Sequence, residues 1–390
     1  MNTCLGNQIY YVGVNDKEID LFEGQYIVPN GISYNSYVIV DNKTAVMDTV
    51  DVHKANEWLS HLKQVLGHKK PDYLVVSHME PDHAGSIDLF LKQYPSVQIV
   101  TNQKAIQMLG QFFPHLDLTN KIITVTQGDT LSLGEHKLMF ILAPMVHWPE
   151  VMVTYEETEK ILFSADGFGK FGALDTDEEW DCEARRYYIN IVGKYGQAVQ
   201  TLLKKASALD IQKIFPLHGP MLTDNLAYYL HKYDIWSSYQ PEDKGIFIAY
   251  TSIYGNTQKA VFKLRDLLLE KGETTVVVSD LARSDMAECV EDAFRYNRLV
   301  LACPTYDGGL FPYMSQFIAR LKSKNFQNRT VGFIENGSWA PLAGQLMVKE
   351  MSALKNMRLI EHVVTIQSAL KEQDIVSLSK LADDLLFYNR

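Results

Sequence analysis

The sequence predicts a two-domain α/β protein, with stacked sheets and outer helices in the first domain and a doubly wound parallel sheet in the second. Three observations carry that expectation. A chain of 390 residues is longer than one hydrophobic core ordinarily serves. The polar stretch Tyr239-Gln-Pro-Glu-Asp-Lys-Gly245 holds a Pro and a Gly, as linkers do, and marks a boundary. The pattern of apolar runs changes across it, which places the domains at 1–240 and 245–390.

From Gln8 to about Trp236 the chain mixes strand-like runs with occasional helices. The runs are Ser36 to Asp41, Thr44 to Asp48, Tyr73 to Ser77, Val97 to Thr101, Lys137 to Leu142 and Lys160 to Ser164, several joined by short turns. Amphipathic spacing predicts helices over Lys54 to Leu66 and Ala184 to Ala208. Beyond Gly245, strand patterns at Ile246 to Tyr250, Thr274 to Ser279, Leu299 to Cys303, Thr330 to Glu335 and Leu359 to Ile366 alternate with helical patterns that begin at Gln258, Asp285, Tyr313, Leu342 and Glu372. Repeated βα units of this kind build a parallel sheet with helices on both faces.

Composition excludes several classes of function. Apolar residues at 46% and charged residues at 22% belong to a folded globular chain, not a disordered one. A net charge of -10 opposes binding to a phosphate backbone and leaves a basic protein as the easier partner. The start, Met1-Asn-Thr-Cys-Leu-Gly-Asn-Gln, has neither the basic nor the apolar region of a secretory signal, and no apolar run approaches a membrane span. A cytoplasmic protein with no membrane attachment is expected. Cys4, Cys182, Cys289 and Cys303 form no C-x-x-C pair, so zinc knuckles, iron–sulfur clusters and a disulfide framework are not expected.

The most informative stretch is Leu74-Val-Val-Ser-His-Met-Glu-Pro-Asp-His-Ala-Gly-Ser86. An apolar strand runs straight into His78, Glu80, Asp82 and His83, so four potential ligands can face one cavity from a loop that the strand holds. Three more candidates also follow apolar runs. His147 comes after Phe140-Ile-Leu-Ala-Pro-Met-Val, Asp166 after Ile161-Leu-Phe-Ser-Ala, and His218 after Ile214-Phe-Pro-Leu. Ligands at strand ends converge on one sheet edge. The remaining histidines (His53, His61, His68, His115, His136, His231 and His362) lack that placement and read as surface or packing residues.

In the second domain, Thr251, Ser252, Ile253, Tyr254, Gly255, Asn256 and Thr257 form a polar loop between the first strand and the first helix. Hydroxyls, backbone N–H groups and a helix N-terminus there can surround a phosphate, and neither G-x-G-x-x-G nor a Walker lysine is present. Two further loops leave the third and fourth strands, where a doubly wound sheet opens its ligand crevice. They contain Pro304, Thr305, Tyr306, Asp307, Gly308 and Gly309, and Asn336, Gly337, Ser338, Trp339 and Ala340.

These residues carry a resemblance over almost the whole chain, about Ile9 to Phe387. The first domain is similar to the metallo-β-lactamase superfamily, whose hydrolases carry H-x-H-x-D-H, but Glu80 replaces one histidine. H-x-E-x-D-H with His147, Asp166 and His218 resembles the diiron domain of flavodiiron proteins, and the added carboxylate favours iron over nitrogen-rich zinc coordination. The loop from Thr251 to Thr257 resembles the flavodoxin phosphate loop. The resemblance implies an αββα sandwich fused to a flavodoxin-like domain. It implies that His78, Glu80, His147 and Asp166 hold one iron, that Asp82, His83, Asp166 and His218 hold the other, and that Asp166 bridges, with no catalytic residues beyond these ligands.

The three loops of the second domain are then expected to bind FMN, with Tyr306 and Trp339 flanking the ring and Gly308 and Gly309 letting the backbone approach it. Asp307 stands where relatives carry amide side chains, and a carboxylate there disfavours the reduced anionic flavin. The implied activity is reduction of dioxygen to water or of nitric oxide to nitrous oxide. No rubredoxin-like cysteine pairs and no reductase extension follow the second domain, so a separate donor such as rubredoxin is expected, together with a head-to-tail homodimer. Two other readings use the same residues, a zinc hydrolase with a fused flavodoxin module and a plain flavin electron carrier.

Overall fold

A computed structural model describes residues 3–387, so the outermost residues of the expected domain ranges, 1–2 and 388–390, lie outside it. The chain divides into two compact units, Met1–Tyr188 with Gln197–Asp234, and Ile189–Gly196 with Ile235–Arg390. Among the described residues no helix is long and apolar enough to cross a membrane. Cys289 and Cys303 are buried.

The first unit is an αββα sandwich. Its larger sheet has seven strands, and its central part runs from Tyr37–Val40 through Thr44–Met47 and Tyr73–Val75 to Gln98–Thr101. The facing sheet has five strands, among them Lys137–Leu142, Met152–Glu156, Ile161–Phe163 and Lys213–Phe215. One apolar core joins the inner faces: Ile39, Met47, Val75 and Val100 from the larger sheet meet Phe140, Met152, Phe163 and Phe215 from the smaller. On the outside, the helix Ala55–Leu66 buries Ala55, Trp58, Leu62 and Leu66, a stripe at intervals of three and four residues.

Strand positions agree with the sequence patterns to within three residues, but the long helix expected over Ala184 to Ala208 is broken. An α-helix Trp180–Tyr187 runs into a π-turn Tyr188–Val192 and a 3₁₀ turn Gly193–Tyr195 before a second α-helix, Gly196–Ala206. The backbone carbonyl of Ser237 and the ring of Tyr239 lie where a Cβ on residue 196 would stand, so only glycine fits there. This segment, Ile189–Gly196, belongs with the second unit although in the sequence it lies between the two stretches of the first.

The second unit is built on five parallel strands, with a short sixth, Gly309–Leu310, paired antiparallel to one of them. In space the order is Val276–Asp280, Asp243–Tyr250, Tyr296–Tyr306, Thr330–Asn336 and Arg358–Ile366, which is 2-1-3-4-5 by chain order. That is the flavodoxin-like arrangement, in which ligands lie at the carboxyl ends of the strands where the order reverses. The inner strands read as continuous apolar runs because both faces are covered, and Ile246, Ile248, Val300 and Ile334 pack with Leu264, Leu268, Leu381 and Leu385 of two covering helices.

Candidate functional site

In the first unit the sandwich brings all seven predicted ligands together. Strand Tyr73–Val75 ends just before His78, and Glu80 precedes a short helix Pro81–Ala84 that carries Asp82 and His83. His147 lies in the loop between Lys137–Leu142 and Met152–Glu156, while Asp166 and His218 follow the parallel neighbours Ile161–Phe163 and Lys213–Phe215. The backbone N–H of Met152 donates to the Ser77 carbonyl at 3.1 Å and ties the two contributing edges together.

The ligand atoms fall into two groups, His78, Glu80, His147 and Asp166 in one and Asp82, His83 and His218 in the other. In the first, Nε2 of His78 and of His147 lie 3.2 and 3.0 Å from Glu80 Oε2 and 3.3 and 3.0 Å from Asp166 Oδ2. In the second, Asp82 Oδ2 stands 3.4 Å from His83 Nε2 and 3.2 Å from His218 Nε2, and the two nitrogens are 3.0 Å apart. Asp166 reaches both groups. Its Oδ2 faces the first, and its Oδ1 lies 3.2 Å from His83 Nε2 and 3.9 Å from His218 Nε2.

These separations match neighbouring donors around a cation at about 2.1 Å, which stand roughly 3.0 to 3.4 Å from one another. Both oxygens of Asp82 and both of Asp166 are buried without a hydrogen-bond partner, a costly state that a bound cation relieves. Facing imidazole nitrogens such as those of His83 and His218 repel unless a proton or a cation lies between them. Nitrogen and carboxylate donors without thiolate suit first-row ions such as iron.

Two residues at this site are not among those predicted from the sequence. Glu150, fully buried, accepts from Nδ1 of His78 at 2.8 Å and from the Met79 N–H at 2.9 Å. Tyr187 is buried with its hydroxyl unpartnered, and its ring centroid lies 5.5 Å from that of His218. Burial, followed by the charges of Asp166, Asp82 and Glu80, holds its phenol proton on far above the usual range. An acid three residues beyond His147 was a clue to Glu150; a tyrosine on a helix offered none.

Without metal, the site neutralises itself. Burial works against protonation of His147, yet the carboxylates of Asp166 and Glu80 raise it to about 9, and His78 and His83 move the same way. Burial likewise opposes ionisation of Glu80, but His147 and His78 hold it well below the usual carboxylate range. The sign of the consequence follows for His147. Its stabilisation is complete below the unfolded value near 6.5 and disappears as pH rises through about 9. Thermal melts of chelator-stripped protein from about pH 6 to about pH 10 should therefore show a falling Tm. Metal-loaded protein should lack this slope, because coordination has already displaced the proton.

In the second unit a cavity of about 480 Å3 opens at the strand ends. Its walls include Ser252, Ile253, Tyr254, Asn256 and Thr257 from the first loop, and Pro304, Thr305, Asp307 and Gly308 from the second. The third loop contributes Asn336, Gly337, Ser338, Trp339 and Ala340. Of the predicted residues, Thr251, Gly255, Tyr306 and Gly309 do not line this cavity, and Leu342 and Ser368 line it without having been predicted.

Ser368 follows the last strand and donates its N–H to Asn336 Oδ1 at 3.1 Å. Thr305 has structural work as well, since its oxygen accepts from the N–H groups of Leu342 and Ala343 where a helix begins. Asp307 and Gly308, at φ of 50° and 68°, make the two-residue turn between paired Tyr306 and Gly309, for which left-handed residues are needed. The loop turns through left-handed Gly255 into the helix Asn256–Glu270, and Ser252 and Thr257 line the cavity there. Hydroxyls beside a helix N-terminus suit the phosphate of a flavin mononucleotide.

Comparison with known proteins agrees with this geometry. Residues 32–219 match the family model described as ODP family beta lactamase. An uncharacterized protein of Methanocaldococcus jannaschii is 30% identical over 379 residues, covering 95% of this chain and 94% of its own. A nitric oxide reductase of Moorella thermoacetica is 29% identical, covering 94% of each chain. Among solved structures, the rubredoxin oxygen:oxidoreductase of Desulfovibrio gigas superposes with a TM-score of 0.92 at 24% identity, over 100% of this chain and 98% of that one. A mutant flavo di-iron protein of Thermotoga maritima superposes with a TM-score of 0.86 at 25% identity, over 96% of this chain and 95% of that one. Likeness across both units, with a carboxylate at position 80 of the metal motif, means that the chain belongs to the flavodiiron protein family.

Proposed function

We propose that this oxidoreductase reduces dioxygen to water or nitric oxide to nitrous oxide at a pair of irons that receive electrons through FMN. One observation carries the reading: the two oxygens of Asp166 divide between two buried sets of nitrogen and oxygen donors. His78, Glu80 and His147 hold one iron, Asp82, His83 and His218 hold the other, and Asp166 serves both. FMN occupies the cavity of the second unit, its phosphate against the loop from Thr251 to Thr257. When bound, reduced FMN and two ferrous ions together hold four electrons, enough to take one dioxygen to two waters.

The chain's own residues supply enclosure and a hydrogen-bond donor. Rings of Phe22, Tyr34 and Tyr187 lie 5.4, 6.0 and 5.5 Å from that of His218, so the site is walled with aromatic surface that excludes water. Tyr187, whose ring lies 5.5 Å from that of His218, keeps its phenol proton and has no hydrogen-bond partner, and in this reading its hydroxyl serves as a hydrogen-bond donor to a reduced oxygen atom. Electrons enter from a separate small redox protein, a rubredoxin in this reading. A head-to-tail homodimer, also carried over from the resemblance, brings the flavin of one chain to the irons of its partner.

The test is an anaerobic single turnover of fully reduced, iron- and FMN-loaded protein with each gas in parallel. Consumption of dioxygen to water, or of nitric oxide to nitrous oxide, is the expected result, and loaded protein that consumes neither gas overturns the reading. In the same assay Tyr187→Phe should slow turnover on the order of 100-fold. Its metal content should be unchanged, and its stability equal or greater, because the lost hydroxyl made no hydrogen bond.

A further inference from the structure

The two donor groups are balanced in their direct ligands. Each has two imidazoles, one carboxylate of its own and a share of Asp166. The difference lies one atom further out, at the Nδ1 nitrogens. His78 donates from Nδ1 to the buried Glu150 carboxylate at 2.8 Å. His218 donates from Nδ1 to a neutral acceptor, the Ser33 carbonyl, at 2.8 Å. Nδ1 of His83 is buried and has no partner. The other buried carboxylate nearby, Asp48, accepts from the backbone N–H groups of Ser77 and His78 at 2.6 and 3.4 Å, and it acts on His83 through space, without a hydrogen bond to Nδ1 of that ring.

A carboxylate that draws on the Nδ1 proton pushes electron density through the ring to Nε2, strengthens that nitrogen as a donor and adds a negative charge beside the metal. A carbonyl does so weakly, and an unpartnered nitrogen not at all. Both effects favour a bound cation, and favour the higher oxidation state most. Building on the diiron reading above, we infer that Glu150 is a positioning residue that makes the two metal positions unequal. The position beside His78 holds its metal more tightly and is the harder to reduce. With iron bound, the His218 side would be the position more easily reduced, by one electron from reduced flavin or from a chemical reductant that is itself oxidised by one electron.

Glu150→Gln isolates the charge. The amide keeps an oxygen for His78 Nδ1 and the Met79 N–H, and its NH2 replaces Oε2, which has no hydrogen-bond partner. Full-length protein stripped with chelator and titrated with cobalt(II), read by ligand-field absorption, should bind in two steps. The variant should weaken the tighter step about 10- to 100-fold and leave the weaker step and the FMN content unchanged. In iron-loaded protein, the span of potential over which the half-reduced pair gives its electron paramagnetic resonance signal should narrow, as the less reducible position moves toward the other.

Equal weakening of both steps, no change in either, or an unchanged span overturns the inference. Should the variant fail to fold, wild-type protein with labelled histidines and one equivalent of diamagnetic zinc(II) decides. The His78 Nδ1–H resonance should shift while that of His218 stays, and the reverse order, or equal effects on both, overturns the inference. Wild-type protein that binds no pair of metals at all removes the diiron reading itself, an outcome distinct from two equal steps, which removes the inference alone.

Discussion

Asp166→Ala is expected to lose both irons together, with gas reduction at background and FMN at full occupancy. The reason is the position of this one carboxylate. Its Oδ2 stands 3.0 Å from His147 Nε2 and its Oδ1 3.2 Å from His83 Nε2, and neither oxygen has a hydrogen-bonding partner. No other side chain among the described residues serves both donor groups. Alanine leaves one group with His78, Glu80 and His147 and the other with Asp82, His83 and His218. Each has then lost a charged oxygen donor inside an almost water-free site, where removing a partner costs most. Loss of even an outer residue around a metal weakens binding about 10- to 100-fold, so loss of a shared direct ligand should exceed that at both positions. Iron per chain by elemental analysis, with flavin absorbance on the same sample, checks the result. Glu80→Ala is the contrast, because Glu80 approaches only His78 and His147 and its loss should deplete one iron. Should Asp166→Ala keep one iron at full occupancy, the shared role is wrong.

Much of this site can be read from the sequence because its ligands follow strands. His78 to His83 come directly after a buried apolar run, and His147, Asp166 and His218 each follow another. A parallel sheet edge gathers what lies at its strand ends, so order along the chain already implies convergence in space. The second domain is legible for a related reason. Strands covered on both faces read as unbroken apolar runs, and a helix returns after each of them.

What escapes the sequence is whatever depends on the reverse side of a ligand or on close backbone approach. Glu150 follows a proline and reads as a surface turn, and only the folded loop buries it against His78. Tyr187 reads as one more aromatic on a helix face, and its unpartnered hydroxyl is visible only in three dimensions. The break over residues 188–195 is hidden because helical spacing continues through it. Gly196, which seats the chain against Ser237, is the one local hint. The hairpin strands Leu21–Phe22 and Tyr26–Ile27 are too short to show alternation at all.

Ser252→Glu should abolish FMN binding while leaving iron content unchanged. No lysine or arginine lines the cavity of the second unit, and the one ionisable carboxyl there belongs to Asp307. A phosphate in this cavity is therefore held by hydroxyls, backbone N–H groups and the start of the helix Asn256–Glu270, with no cation to compensate an added negative charge. Ser252 is half-buried, and its oxygen accepts from the Gln258 N–H at 3.3 Å, so its side chain lies at that helix start. A glutamate there sets a carboxylate near the phosphate. Two like charges about 4 Å apart at an effective dielectric constant of about 20 repel by about 4 kcal/mol, on the order of a thousandfold in affinity. Riboflavin, which has the same ring system without the phosphate, separates this effect from a collapsed cavity. Its affinity should change little in Ser252→Glu. Thr257→Val tests the loop from the other direction, since it removes a hydroxyl from the cavity wall. FMN should weaken by roughly 1.5 to 3 kcal/mol, the size of a hydrogen bond to a charged group, while riboflavin stays level. Flavin fluorescence titrations of the three proteins with both ligands supply the measurement. Tight FMN binding by Ser252→Glu, or equal losses of FMN and riboflavin, would place the phosphate elsewhere.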